Sequence, residues 1–240
     1  MPNSATEANA LCIGGVTPFS ATDYPGKLSA VVFVQGCPWR CHYCHNPHLQ
    51  PRATRQPVAW ARFFDLLQRR SGLIDAVVFS GGEPTLDPAL PAAMAEVRRM
   101  GFLVGLHSGG IYPARFAEAL KLADWVGLDI KTNFDDYETI TAVAGSGAPA
   151  REALTMLLDS GVAYECRTTL HPSLHTDAQV TELAHKIAAM GVRHYALQCF
   201  RMEGTKDHQL AGHLPADYPD TALMAQLRQL FDTLIVRKAD

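Results

Sequence analysis

Val31-Val32-Phe33-Val34-Gln35-Gly36-Cys37-Pro38-Trp39-Arg40-Cys41-His42-Tyr43-Cys44-His45 is the stretch on which the fold turns. Its first four residues form an apolar, β-rich run that Gly36 interrupts, so they read as a buried strand ending where the cysteines begin. Cys37, Cys41 and Cys44 follow the spacing C-x-x-x-C-x-x-C, which gathers three thiolates into one tight loop. Soft thiolates select zinc, Cu(I) or iron–sulfur clusters. A closed zinc site or an ordinary electron-transfer cluster wants four protein ligands. The loop offers three, and the next cysteine, Cys166, is far along the chain. A 4Fe–4S cluster held by three thiolates keeps one iron open to a small molecule. A structural zinc knuckle would instead take His42 or His45 as its fourth ligand.

Working outward, apolar β-rich runs recur at residues 30–34, 76–79, 102–106, 125–130, 164–170 and 194–200. Helical periodicity lies between them. Trp60, Phe63, Phe64 and Leu67 are spaced i, i+3, i+4, i+7, and so are Val180, Leu183, Ala184 and Ile187; both sets read as core packing. Strands alternating with helices predict parallel βαβ units with right-handed crossovers. Six such units give an α/β fold of the partial (β/α)6 barrel type, with functional residues at the strand C-termini. Residues 1–28 form an N-terminal extension with turn chemistry at Gly14-Gly15, Pro18 and Tyr24-Pro25-Gly26-Lys27, and room for a short strand at Cys12-Ile13 or Val16-Thr17. After the 29–200 core, residues 201–222 read as a loop with Gly204, Gly212, Pro215 and Pro219 as breakers. Leu223, Leu227, Leu230 and Phe231 mark a last helix, and residues 234–236 a short final strand. No linker or repeat interrupts the 240 residues, so one domain is expected.

Hydrophobic residues make up 48% and charged residues 19%, ordinary values for a globular chain. A net charge of −3 provides no basic field for nucleic acid. Arg69-Arg70 and Arg98-Arg99 sit on helical stretches and read as solvated faces. The polar start lacks a signal-peptide pattern, and no apolar run reaches membrane-spanning length. Six cysteines, three of them in one metal-type loop, argue for a reducing compartment. A cytoplasmic protein is expected.

The cysteine loop, with Tyr43 before its third cysteine, and the later Ser80-Gly81-Gly82-Glu83-Pro84 resemble the radical S-adenosylmethionine (SAM) superfamily. That resemblance implies a 4Fe–4S cluster on Cys37, Cys41 and Cys44. SAM would chelate the open iron through its amine and carboxylate, and one electron would cleave its sulfonium to a 5′-deoxyadenosyl radical. Gly81 and Gly82 let backbone approach a ligand, and Glu83 can accept charge-assisted hydrogen bonds from an ammonium. By the same resemblance this segment holds the methionyl amine. Asp129-Ile130-Lys131 ends the fourth strand, and residues two apart share a strand face. The activating enzymes of glycyl-radical enzymes have a matching Asp-x-Lys that helps hold the methionyl carboxylate, the Asp partly through a monovalent cation. They have Asp-Thr where this chain has His107-Ser108, and a histidine is a poor ligand for a hard cation. His107 then bonds SAM or Asp129, or is a polar group satisfied elsewhere. Arg167 matches an arginine that contacts SAM, and Arg201 stands where a histidine lies near the adenosyl group. Cys12, Cys166 and Cys199 read as small buried hydrophobes.

Thr17-Pro18-Phe19-Ser20, Asp23-Tyr24-Pro25-Gly26-Lys27 and Cys44-His45-Asn46-Pro47 narrow the likeness. They resemble the activating proteins of anaerobic ribonucleoside-triphosphate reductase. That implies abstraction of a glycine Cα hydrogen from the reductase. It also implies an external donor, flavodoxin or ferredoxin, since the chain has no flavin or second-cluster motif. An incomplete barrel wall suits entry of a polypeptide loop. The alternatives are a radical SAM enzyme acting on another glycyl-radical enzyme or a small molecule, and a non-catalytic zinc or iron–sulfur module.

Overall fold

The computed structural model describes residues 7–52, 58–205, 210 and 218–238. Among them, eight strands form one sheet in chain order: β1 (Ile13–Ser20), β2 (Ser29–Val34), β3 (Ala76–Gly81), β4 (Leu103–Ser108), β5 (Trp125–Asp129), β6 (Ala163–Leu170), β7 (His194–Cys199) and β8 (Thr233–Arg237). β1 runs antiparallel to β2, and every later pair is parallel. The helices are α1 (Trp60–Arg70), α2 (Leu90–Arg99), α3 (Pro113–Leu120), α4 (Tyr137–Thr141), α5 (Gly147–Ser160), α6 (Asp177–Ala189) and α7 (Thr221–Leu227).

Because strand order equals chain order, each crossover steps one strand in the same direction. Successive right-handed crossovers then place the helices on one face and curl the sheet about the other. The packing shows this. Val77, Phe79, Val104, Leu106, Val126 and Leu128 pack outward with Phe63, Leu67, Met94, Phe116, Leu154 and Leu183 of the helices. Val31, Ala76, Val78 and Trp125 form a separate inward cluster with Tyr24. A strand covered on both faces needs an almost continuous apolar run, which is why residues 76–79 of β3 are all fully buried. On α1, Trp60, Phe63 and Leu67 face the core, while Arg69 is exposed. On α6, Thr176 and Gln179 close a reciprocal capping box at the N-terminus.

The six expected parallel strands are β2–β7, and the partial barrel holds. Two strands extend it, the antiparallel β1 and the parallel β8. The last helix ends at Leu227, short of Leu230 and Phe231. Half of the expected 201–222 loop, including Gly212 and Pro215, lies outside the described residues. Among the described residues no helix is long and apolar enough to cross a membrane.

Candidate active site

One cavity of about 420 Å3 lies at the C-terminal ends of the strands. All thirteen cluster and SAM residues singled out by sequence line it: Cys37, Cys41, Tyr43, Cys44, Gly81, Gly82, Glu83, His107, Ser108, Asp129, Lys131, Arg167 and Arg201.

The cysteine loop leaves β2 and is held from two sides. Gly36 N–H donates to Leu49 O at 2.7 Å and Cys37 N–H to Gln50 O at 3.0 Å. Arg40 N–H donates to Thr141 O at 2.9 Å and His42 N–H to Ile140 O at 3.2 Å. Trp39 packs edge-on against Tyr137 at 5.7 Å. All six cysteines are free thiols, and the three of the loop are half-buried. Burial, with the Glu83 charge second, pushes the Cys37 thiol up to about 12. Burial also raises Cys41. Thiolates at such positions need a cationic metal beside them. Among the described residues no three His, Cys, Asp or Glu side chains are disposed around a single metal ion. Three soft thiols on one cavity fit the donor set of an iron–sulfur cluster. His42 is exposed, and His45 Nε2 donates to Arg201 O at 3.1 Å while its ring stacks on Phe200.

The Gly81-Gly82-Glu83 segment continues the β2–β3 ladder beyond the strands. Gly82 N–H donates to Val34 O at 2.9 Å and Glu83 N–H to Gly36 O at 2.8 Å. Gly81 has φ +124°, and a Cβ there would run into the Val34 backbone. On Gly82 it would collide with Gly36 O. Only glycines allow this closeness, which presses a bare backbone against the start of the cysteine loop. Glu83 is 1% exposed. Its Oε1 accepts from Thr85 N at 3.1 Å, from the Thr85 hydroxyl and from Ser108 Oγ at 2.8 Å; its Oε2 accepts from Gly109 N at 2.9 Å. Burial raises its carboxyl above the usual range despite these donors. Glu83 therefore ties the end of β3 to the end of β4 and presents its charge to the cavity from a saturated position.

Across the cavity, Asp129 lies between two cations. Arg167 Nε and Nη2 each lie 3.0 Å from its Oδ1, and Lys131 Nζ lies 3.5 Å from its Oδ2. Burial acts to raise the Asp129 carboxyl, but Arg167 and Lys131 outweigh it and hold the group below the usual range. Burial alone would depress Lys131, and the acidic groups around it, Tyr43, Cys41 and Asp129, raise it well above the ordinary lysine value. Its ammonium stands 5.9 Å from the Trp39 ring and 5.6 Å from the Tyr43 ring. The trio carries one positive charge in excess beside the thiols. Lys131 lies past the end of β5, not on the strand face that its spacing from Asp129 implied. Its backbone supports it instead: Lys131 N–H donates to the Tyr137 hydroxyl at 3.0 Å, and His175 Nε2 donates to Lys131 O at 2.9 Å.

His107 lines the same cavity. Its Nε2 donates to Asp23 O at 2.9 Å, and its ring meets Trp125 edge-on. Burial, then the Arg167 charge, lowers its pKa to about 3, so the ring is neutral. Its Nε2 is satisfied by Asp23 O, and the ring remains on the cavity lining. Arg201 is an exposed residue on the cavity rim. Cys12, Cys166 and Cys199 are buried and do not line the cavity. Sequence reasoning missed Trp39, His175 and Gln198. Trp39 was visible inside the cysteine loop; His175 and Gln198 carry no local signal.

The residues fit a cluster with an open iron and a SAM molecule beside it: three soft donors, a close backbone edge and a net-positive trio for a carboxylate. The profile of the Radical SAM superfamily matches residues 31–197. A Methanocaldococcus jannaschii protein named for glycyl-radical enzyme activation is 30% identical over 204 residues, 82% of this chain and 83% of that one. The pyruvate formate-lyase-activating enzyme of Clostridium pasteurianum is 31% identical over 173 residues, 70% of this chain and 71% of that one. Among solved structures, QueE from Escherichia coli superposes with TM-score 0.60 at 14% identity over 99% of this chain and 98% of that one. SuiB from Streptococcus suis bound to S-adenosylmethionine gives TM-score 0.64 at 12% identity, covering 86% of this chain and 48% of that one. These two likenesses concern the fold.

Proposed function

The chain belongs to the radical SAM superfamily, whose members use a 4Fe–4S cluster and SAM, and from that premise we propose that it is a glycyl-radical activating enzyme whose protein substrate is anaerobic ribonucleoside-triphosphate reductase. The observation that carries the reading is the convergence of three thiols and the Lys131–Asp129–Arg167 trio on one cavity. Relatives at 30% and 31% identity are named as activating enzymes. A 4Fe–4S cluster held by Cys37, Cys41 and Cys44 would supply one-electron reduction of SAM beside it, the chemistry that hydrogen-atom abstraction from a substrate requires.

The chain's own residues position and shield. Cys37, Cys41 and Cys44 hold the cluster. The bare edge at Gly81 and Gly82 receives the methionyl amine, and Glu83 adds its negative charge behind that edge. Lys131 and Arg167 offer charge-assisted hydrogen bonds to the methionyl carboxylate, with Asp129 fixing both. Ser108 and neutral His107 keep Glu83 and Asp23 in place. Tyr43 and Trp39 wall the ammonium, and Arg201 borders the adenosyl side. Flavodoxin or ferredoxin is the donor, the compartment is the cytoplasm, and residues 1–240 act as one domain. Anaerobic incubation of the reconstituted protein with SAM, reduced flavodoxin and the reductase of the same genome tests this. A glycyl-radical EPR signal in the reductase is expected. A silent reductase alongside consumption of a small metabolite would replace this reading with a small-molecule radical SAM enzyme.

A further inference from the structure

A second cavity of about 490 Å3 adjoins the first, and Asp23, His107, Arg167, Thr169, Gln198 and Arg201 line both. Since residues two apart on a strand share a face, Glu165, Arg167 and Thr169 of β6, Ala196 and Gln198 of β7, and Arg237 of β8 point inward. Gln198 is paired in register with Thr169 on one side and Arg237 on the other. Arg237 reaches past this row to Glu165, two strands away: Nη1 lies 2.7 Å from Oε1 and Nη2 3.0 Å from Oε2. Ala196 is the inward residue of β7 between their levels, and its single methyl leaves room for the crossing. The Glu165 side chain is 8% exposed and that of Arg237 32%. Burying such a pair is costly compared with an apolar pair of the same size, and neither residue lines the cavity of the cysteine loop.

This chamber lies at the seam of the sheet. β1 and β8 are its two ends and do not pair with each other. Ala21 and Pro25, in the turn after β1, and Arg237, at the end of β8, all line the chamber. Among the described residues no strand pairing closes the wall between the N-terminal turn and the last strand, and the lining behind it is largely polar.

A glycine gives a recognition site no side chain, only its N–H, its C=O and two Cα hydrogens. A pocket that selects it must place acceptors and donors close together. Glu165 keeps a second lone pair on each oxygen, Arg237 keeps further N–H groups, and Gln198 and Thr169 can do either. We infer that this chamber is the substrate subsite, entered through the seam by an extended main-chain segment, with Glu165 accepting a peptide N–H and Arg237 and Gln198 donating to the carbonyls that flank the glycine. The inference rests on the activase reading and adds to it the residues that read the substrate.

The double variant Glu165→Leu/Arg237→Met exchanges the ion pair for an apolar one and avoids stranding a buried charge. The probe is a fluorescein-labelled peptide copying the glycine loop of the candidate reductase, bound to the anaerobic holoprotein in the presence of SAM. We expect peptide affinity to fall at least tenfold in the double variant while SAM affinity and chemically reduced SAM cleavage stay within twofold. Glycyl-radical yield should fall in parallel. Unchanged peptide affinity and radical yield would overturn the subsite and leave the activase reading standing. An equal loss of SAM affinity would also overturn it, assigning the pair to the SAM pocket. A wild-type protein that forms no glycyl radical in any partner would remove the activase reading itself, and the peptide with it.

Discussion

Glu83 should matter to the protein before SAM or iron arrives. The carboxylate is 1% exposed and accepts from Thr85 N, the Thr85 hydroxyl, Ser108 Oγ and Gly109 N. Glu83→Ala removes all four at once. The two hydroxyls can rotate to other acceptors, but the Thr85 and Gly109 amides cannot. Each amide left unsatisfied costs about 1–3 kcal/mol, so the loss is about 2–6 kcal/mol. Relief of carboxylate burial, the cause of its raised pKa, offsets part of this. We expect a net loss of about 3 kcal/mol for Glu83→Ala. Glu83→Gln keeps one acceptor oxygen, but its amide nitrogen can face a donor, so we expect about half that loss. With a urea slope of about 2–3 kcal/mol/M, the alanine variant's midpoint should drop by about 1 M, with glutamine in between. The assay is urea unfolding of metal-free protein without SAM, followed by circular dichroism. Midpoints for both variants within error of wild type would refute the bridging role and leave Glu83 as a SAM contact only.

Three further outcomes are expected. Cys37→Ala, Cys41→Ala and Cys44→Ala should each fail to retain a full complement of iron on anaerobic reconstitution and should lose SAM cleavage; iron analysis with a 5′-deoxyadenosine assay checks this, and retained turnover in any one would remove it from the ligand set. Lys131→Met should weaken SAM binding by about tenfold or more, roughly one charge-assisted hydrogen bond of about 1.5–3 kcal/mol, while the cluster's absorption stays intact; equal affinity in equilibrium binding would dissociate Lys131 from the carboxylate. His107 has a folded-state pKa of about 3 against an ordinary 6.5, so the unfolded chain binds the extra proton first, and its contribution to stability is lost as pH falls from about 6.5 towards 3. Over that window metal-free wild type should lose roughly 1 kcal/mol more per pH unit than His107→Gln; parallel stability curves would contradict a buried neutral ring.

The parallel core was readable because its signals are local. β2 ends at Val34, and Gly36 breaks the chain just before the first cysteine; the runs at 76–79 and 125–128 are apolar because both strand faces are covered. The antiparallel β1 was harder, since Gly14, Gly15 and Pro18 carry turn chemistry and the strand forms by pairing with β2. Lys131 was placed correctly at the cavity for an incomplete reason: its spacing from Asp129 suggested one strand face, yet β5 ends at Asp129 and the lysine is held by Tyr137 and His175. Glu83 showed its charge in the sequence but not its four donors, which come from two different segments. The Glu165–Arg237 pair joins residues 72 positions apart across an intervening strand, and no short-range pattern encodes such a contact.

The most direct test of the proposed activity follows one atom. The partner reductase is prepared with deuterium on its glycine α-carbons and incubated anaerobically with the reconstituted protein, SAM and reduced flavodoxin, and the released 5′-deoxyadenosine is weighed by mass spectrometry. Transfer of one deuterium to the nucleoside, together with a radical on the reductase, is the expected result. Unlabelled 5′-deoxyadenosine and a radical-free reductase would contradict the account.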